Sequence, residues 1–149
     1  MNRAEQIRYL VLAAQREGNR VLAEQLRPLG LTPSQAEVIR VVADRGALTI
    51  GELGELLVCE SGTNPSRLVE RLVASGMLER RADDADRRRV ILSLTAAGRA
   101  AERSVVHIEA GLYDVIDGAS GGADVDAVID FLTRLSAGSP SGCAVELRA

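Results

Sequence analysis

The sequence predicts a mainly α-helical fold that contains a helix-turn-helix, one small β-hairpin and long flanking helices. Over most of the 149 residues, apolar side chains recur every three or four positions, which is the period of an α-helix. Between residues 77 and 94 the pattern changes to alternation, which is typical of strands. Hydrophobic residues make up 46% of the chain but aromatic residues only 2%. Leucine, valine and alanine must therefore fill the core, which favours packed helices, and the length fits a single domain.

Start and stop signals divide the first third of the chain into three helices. The first runs from Arg3 to Leu29 and ends where proline and glycine interrupt its apolar stripe. Residues 32–35, Thr-Pro-Ser-Gln, open the second helix with a capping box and a proline at the first helical position. Gly46 ends that helix, and residues 49–52, Thr-Ile-Gly-Glu, repeat the capping-box spacing. A short third helix should follow.

A fourth helix completes the helix-turn-helix after a break in the periodicity at residues 58–63. Asn64 and Pro65 predict its start, because a proline at the first helical position loses no hydrogen bond. Ser61 is an alternative cap one turn earlier. Gly76 supplies the signal that ends the helix.

A β-hairpin with a polar tip is predicted next. Residues 77–80 lead into a polar stretch at 82–87. After it, Val90, Leu92 and Leu94 occupy alternate positions, which is the pattern of a strand with one buried face.

Two further helices and a tail complete the predicted elements. Thr95 caps the fifth helix, and a glycine-rich break at residues 118–122 separates it from the sixth. Residues 136–149 are rich in Gly, Ser and Pro, and we expect them to form a flexible tail. Val145 and Leu147 are its candidates for docking.

Positive charge is concentrated in the second half of the helix-turn-helix and in the hairpin. The chain has a net charge of -3, and all 18 of its cationic side chains are arginines. Residues 61–99 nevertheless carry eight arginines against five acidic residues, a local charge of +3, and the remainder carries -6. A basic module within an acidic protein is the pattern expected where one surface meets the phosphates of a nucleic acid.

The residues of this module have types and positions that suit double-stranded DNA. A helix after a tight turn fits the major groove, where the first turns of the fourth helix can reach base edges or flanking phosphates. At the hairpin tip, Arg88 can enter the narrow minor groove while Asp86 holds it by ion pairing, with Arg87 and Arg89 as alternatives. The predicted DNA-contacting residues of the helix-turn-helix are Ser61, Thr63, Asn64, Ser66, Arg67 and, as a phosphate contact, Arg71.

Two motifs give the chain a resemblance to a known family over roughly residues 3–135. Residues 86–88, Asp-Arg-Arg, and 93–98, Ser-Leu-Thr-Ala-Ala-Gly, are similar to the Asp-x-Arg and Leu-Thr-x-x-Gly wing signature of the MarR (multiple antibiotic resistance regulator) family. Residues 67–72, Arg-Leu-Val-Glu-Arg-Leu, with 76–78, Gly-Met-Leu, resemble the end of that family's recognition helix and the following strand.

The resemblance implies a homodimeric winged-helix transcriptional regulator that binds a pseudo-palindromic operator. Residues 1–30 and 96–136 would form the dimerisation region, residues 31–95 the winged DNA-binding lobe and residues 137–149 the flexible tail. Such regulators usually repress genes and release DNA on binding a small anionic or phenolic ligand, or after oxidation. We expect the ligand in the cleft where the first and fifth helices meet the winged lobe. Oxidation by the family's usual route is not expected, because the first helix has no cysteine.

Other functional readings of the sequence are weaker. An enzyme would need a nucleophile with a base, paired carboxylates or a metal, and His107 is the single histidine. Cys59 and Cys143 fit structural thiols in a reducing cytoplasm better than a disulfide framework or a zinc site. We therefore expect no catalytic residue, no metal, no cofactor and no membrane segment. The competing hypothesis is a winged-helix module that binds a protein instead of DNA.

Overall fold

A computed structural model describes residues 1–58 and 64–149 of the chain. It confirms the predicted mainly helical fold with one antiparallel hairpin. No helix among the described residues is both long and apolar enough to cross a bilayer. The elements in chain order are α1 (Arg3–Leu26), a 3₁₀ turn (Arg27–Leu29), α2 (Pro33–Arg45), α3 (Ile50–Leu56), α4 (Pro65–Ala74), β1 (Leu78–Ala82), β2 (Val90–Leu94), α5 (Ala96–Ala119), α6 (Val125–Ser136) and α7 (Pro140–Arg148).

The predicted capping motifs start the helices of the winged lobe. At α2, the Gln35 backbone N–H donates to Thr32 Oγ1 at 3.3 Å and the Thr32 N–H donates to Gln35 Oε1 at 2.9 Å. Thr49 and Glu52 form the same reciprocal pair at α3, at 3.2 and 2.7 Å. These bonds satisfy N–H groups that have no partner inside the helix. The start of α4 at Pro65 is likewise confirmed, and the alternative cap Ser61 lies outside the described residues.

The core of the winged lobe surrounds α2, which contacts α1, α3, α4, α5 and β2. Val38 and Ile39 of α2 and Leu72 of α4 are fully buried there. Leu92 of β2 joins them, and its N–H also donates to the Leu48 carbonyl oxygen at 2.8 Å. Because the hairpin is fixed to the core along β2, its tip projects from one end of the lobe.

One detail of the hairpin pattern differs from the prediction. Leu92 and Leu94 are buried as expected, but Val90 is half exposed and Ile91 is buried. Val90 pairs with Ala82 at the tip end of the ladder, beyond the core that covers the other end. The burial of every second residue that the sequence predicts therefore does not extend to Val90, in the last pair of the ladder.

The prediction of a flexible tail at residues 137–149 was wrong, because most of this stretch is the helix α7. Ser139 caps it by accepting the Gly142 N–H at 3.0 Å, and Pro140 occupies its first turn. The helix packs against α3, and the residues it buries are Gly142 and Ala144. Val145 and Leu147, the expected docking residues, are half exposed.

Large apolar side chains remain exposed along three helices outside the winged lobe. They lie on the first half of α1, on α5 towards its C-terminal end and along all of α6, none of whose residues is buried. Unlike scattered single residues, apolar faces of this extent usually mark an interface. The exposed residues are Ile7, Tyr9, Leu10, Val11, Leu12, Val106, Tyr113, Val115, Ile116, Val125, Val128, Ile129, Phe131, Leu132 and Leu135.

Candidate nucleic-acid interface

Helix α4 presents a polar and basic face to solvent. Leu68, Val69 and Leu72 anchor its inner side in the core. Arg67 and Arg71 are exposed one turn apart on the opposite side, and neither has an ion-pair partner among the described residues. Two guanidinium groups at this spacing can contact neighbouring phosphates or the edges of guanine bases.

The first turn of α4 holds the polar residues that the sequence predicted as base contacts. Asn64 is exposed, and its Oδ1 accepts the Ser66 backbone N–H at 3.0 Å. This capping bond fixes the Asn64 side chain at the helix end, and Ser66 is half-buried behind it. Ser61 and Thr63, the other two predicted contacts in this region, lie outside the described residues, as does Cys59.

The tip of the hairpin is a compact turn that exposes Arg88. The Asp83 N–H donates to the Arg89 carbonyl oxygen at 2.9 Å, and the Arg89 N–H donates to the Asp86 carbonyl oxygen at 2.8 Å. Asp86 Oδ1 accepts the Arg88 backbone N–H at 3.0 Å and lies 3.5 Å from Arg88 Nε. The Arg88 side chain remains 94% exposed. The turn therefore orients a guanidinium outward while a carboxylate restricts its motion.

Arg89 points away from this position and joins the hairpin to α3. One of its guanidinium nitrogens donates to Glu52 Oε1 at 2.7 Å, and another lies 3.9 Å from Asp83. The sequence left Arg87, Arg88 and Arg89 as alternatives for the outward role. The structure assigns Arg89 to a protein carboxylate, whereas Arg87 and Arg88 are both exposed.

Glu52 is a residue of this site that the sequence did not single out. It serves the capping box of α3 and the ion pair to Arg89 with the same carboxylate. The hydrogen bonds from Thr49, backbone first, and the charge of Arg89 hold the pKa of Glu52 below its ordinary value. Its capping role was readable from local spacing, but its contact with a residue 37 positions away was not.

The base of the hairpin is anchored by the second wing motif. Thr95 Oγ1 donates to the Gly76 carbonyl oxygen at 2.5 Å and accepts the Gly98 N–H at 3.0 Å, which caps α5. A Cβ atom on Gly98 would overlap the carbonyl oxygen of Met77. Only glycine lets α5 begin this close to β1, so the Leu-Thr-x-x-Gly spacing fixes the hairpin against the long helix.

Ionic contacts and one cavity lie where the winged lobe meets α5, and a groove lies between the long helices themselves. Arg40 of α2 donates to Glu102 at 2.7 Å and to Glu109 at 3.1 Å, both on α5. A polar cavity of about 480 Å³, lined by residues that include Arg81 and Arg99, opens between α2, the hairpin and α5. An apolar groove of about 620 Å³ runs between α1 and α5.

Comparison with known proteins agrees with this geometry. The sequence model described as MarR family matches residues 29–89, which contain the helix-turn-helix and most of the hairpin. The multiple antibiotic resistance protein MarR of Escherichia coli is 32% identical over 91 residues, which are 61% of this chain and 62% of that protein. The organic hydroperoxide resistance transcriptional regulator of Bacillus subtilis is 28% identical over 108 residues, 72% of this chain and 73% of that protein.

Solved structures extend the similarity to almost the whole chain. The Bordetella bronchiseptica protein BpsR superimposes with a TM-score of 0.77 at 24% identity, covering 93% of this chain and 99% of that one. A mutant of E. coli MarR complexed with operator DNA superimposes with a TM-score of 0.69 at 24% identity, covering 92% and 99%.

The chain is thus similar to the MarR family in sequence over residues 29–89 and in fold over most of its length. Its helix-turn-helix, hairpin and long flanking helices are the MarR winged-helix architecture. The chain spans about three fifths of the length of the E. coli protein in the sequence alignment. In this fold the hairpin β1–β2, with its tip at residues 83–89, has the position of the wing, and α4 has the position of the recognition helix.

Proposed function

We propose that this chain is a member of the MarR family and a homodimeric, sequence-specific DNA-binding transcriptional regulator, acting as a repressor that a small ligand releases. The observation that carries the proposal is the wing tip, where Asp86 holds a 94% exposed Arg88 clear of the rest of the lobe. An extended guanidinium in this position suits the negative potential of a narrow minor groove. The relative of known structure in complex with operator DNA has the same fold.

The recognition helix would occupy the major groove next to the wing. Arg67 and Arg71 form its exposed basic face, with Asn64 and Ser66 at the end that first meets the bases. The predicted contacts Ser61 and Thr63 precede this end in the sequence and remain part of the proposal. Arg87 is a second exposed wing arginine, and Asp86 and Arg89 position the tip rather than contact DNA.

Dimerisation would use the apolar faces outside the winged lobe. Residues 1–30 and 96–136 would form the dimer region, and residues 31–95 the winged DNA-binding lobe. Those faces on α1, α5 and α6 lack a cover within the described part of the chain. A twofold axis through them would place two recognition helices about 34 Å apart, one turn of DNA. The operator would then be pseudo-palindromic.

Ligand control would act through the junction between the lobes, where the sequence predicted the effector cleft between α1, α5 and the winged lobe. The structure of the relative BpsR concerns the mechanism by which 6-hydroxynicotinic acid regulates the DNA binding of that protein. A near-complete switch requires the effector to favour the DNA-incompetent spacing by about 5.5 kcal/mol. The relatives named above are regulators, and we propose that this chain likewise has no catalytic role and acts in the cytoplasm.

The test is a mobility shift on DNA from immediately upstream of the protein's own gene, with excess nonspecific competitor. We expect a discrete shift for the unmodified protein. Arg88→Ala should weaken binding about a hundredfold, because a dimer loses two charge-assisted contacts of roughly 1.5 kcal/mol each.

The matched control is Arg134→Ala, which removes the same charge from an exposed pair with Asp130 on α6. It should bind as the unmodified protein does. Equal binding by the Arg88 variant would overturn the wing assignment. Failure of the unmodified protein to bind any upstream DNA would instead favour a winged-helix module that binds protein.

A further inference from the structure

Helix α7 attaches to the winged lobe at the point where the chain leaves α3 for the recognition helix. Val58 is the last described residue before α4, and both of its backbone polar groups are engaged. Its N–H donates to Glu37 Oε1 at 2.8 Å, and its carbonyl oxygen accepts from Ser141 Oγ of α7 at 3.5 Å. Six positions separate Val58 from Asn64, the cap of α4.

The carboxylate that holds Val58 is itself held by α7. Arg148 donates to the same oxygen, Glu37 Oε1, at 2.7 Å. Glu37 is a charged residue in the buried side of α2, only 8% exposed, and the Arg148 side chain is 33% exposed. In this partly desolvated setting, an ion pair fixes the position of the carboxylate more firmly than a surface pair would.

Two further features fix α7 in place. Arg45 of α2 donates to the carbonyl oxygen of Leu147, close to the end of α7. At the other end, a Cβ atom on Gly142 would overlap the Ser136 carbonyl oxygen, so glycine permits the tight turn from α6. The helix therefore connects α6, in the proposed dimer region, to α3, which packs against the recognition helix.

We propose that α7 is a positioning element for DNA reading, in which Arg148 acts through Glu37 and Val58 to hold the end of α3, the helix against which the recognition helix packs. This inference rests on the proposed DNA-binding function. It adds a residue outside the DNA interface to those that determine affinity. Because α7 follows α6 directly, a movement of α6 would also be transmitted through α7 to the winged lobe.

The test compares variants of the full-length dimer on operator DNA, with amide exchange at Val58 as a readout that does not involve DNA. Arg148→Ala should speed exchange of the Val58 N–H and weaken operator binding on the order of fivefold, the lower end of typical coupling between sites. Arg148→Lys keeps a charge-assisted hydrogen bond within reach of Glu37 and should restore both. Arg134→Ala, with the same charge loss at an exposed pair on the side of α6 away from Leu132 and its apolar face, should change neither.

Glu37→Gln separates positioning from simple charge. It removes a negative charge, so general electrostatics alone predicts tighter binding to DNA. Positioning predicts weaker binding, because the glutamine oxygen keeps the Val58 bond but loses the ionic contact with Arg148. Tighter binding by Glu37→Gln would overturn the proposal.

The remaining outcomes also decide between the two proposals. If the Arg148→Ala protein exchanges faster at Val58 but binds the operator as tightly as the Arg134→Ala control, the positioning role is wrong and the proposed function stands. If the unmodified protein binds no operator, the proposed function itself fails, and the positioning role fails with it.

Discussion

Single side chains at the wing decide which arginine points into solvent. Arg89 pairs with Glu52 of α3, while Asp86 restrains Arg88 and leaves it exposed. The sequence placed three consecutive arginines at the tip and favoured Arg88, with Arg87 and Arg89 as alternatives. Local spacing correctly predicted that Asp86 restrains Arg88, because those residues are two positions apart. The sequence did not predict the contact of Arg89 with Glu52, because that contact depends on where the hairpin lies relative to α3 in the folded lobe.

Glu52→Gln should weaken the attachment of the wing to α3 near neutral pH and so lower the stability of the folded protein. The glutamine oxygen can still accept the Thr49 N–H of the capping box, so the change removes mainly the charge that pairs with Arg89. The folded-state pKa of Glu52 lies below the ordinary carboxyl value of 4.5, because of the Thr49 hydrogen bonds first and then Arg89. The stabilisation is thus complete above the ordinary value and is lost as pH falls through the folded pKa.

The measurement is the melting temperature of both proteins across this range. The unmodified protein should melt higher near neutral pH, and the difference should vanish in acid. Glu55→Gln, an exposed change on the same helix, is the control and should not reproduce this convergence. A gap between Glu52→Gln and the unmodified protein that persists in strong acid would contradict the assignment.

At the scale of elements, the sequence predicted what local signals encode. The capping boxes at Thr32 and Thr49 and the start of α4 at Pro65 were readable because each depends on neighbours within four positions. The error at residues 137–149 arose because the glycine and serine content of the stretch was given more weight than Ser139-Pro140, which is itself a helix-start signal. The contacts that hold α7 join residues up to 111 positions apart and leave no local pattern.

The contact between α2 and α5 should contribute measurably to stability. Arg40 is 24% exposed and binds two carboxylates, Glu102 and Glu109, that are still less exposed. Arg40→Ala would leave these two carboxylates, and Asp44 at 3.6 Å, without their shared cation. We expect a loss of about 1–3 kcal/mol in the free energy of unfolding, between the values for surface and buried ion pairs.

Urea denaturation at constant protein concentration checks this expectation. Arg134→Ala breaks an exposed pair of one helix with Asp130 and should cost no more than about 0.5 kcal/mol. Equal losses for the two variants would mean that the contact between α2 and α5 is no stronger than a surface pair.

For the whole molecule, the distribution of apolar surface supports a dimer. The core around α2 is closed within the chain, with Leu26 of α1 and Val105 of α5 among its buried residues, whereas α6 buries none of its residues. The sequence predicted apolar stripes on α1, α5 and α6 from their periodicity. It could not show which parts of those stripes the chain covers itself, because that depends on how the helices are arranged.

Leu132→Asp should split the proposed dimer. Leu132 lies within the exposed apolar face of α6, where a carboxylate would be forced out of water by the partner helix. Analytical ultracentrifugation should give the mass of one chain for this variant, with a matching loss of operator binding. Ala127→Asp introduces the same charge on the opposite side of α6 and should remain dimeric. A dimer in the Leu132 variant would place the interface elsewhere.

The salt dependence of operator binding tests the central claim most directly. Titrating the upstream DNA at several salt concentrations should give a steep linear fall of log Kobs with log salt, with a slope of about -0.9 for each phosphate neutralised. For Arg88→Ala the slope should be less negative by about 1.8, since a dimer presents two wings. A flat response for the unmodified protein, or an unchanged slope for the variant, would contradict a wing arginine that lies in the negative potential of the DNA.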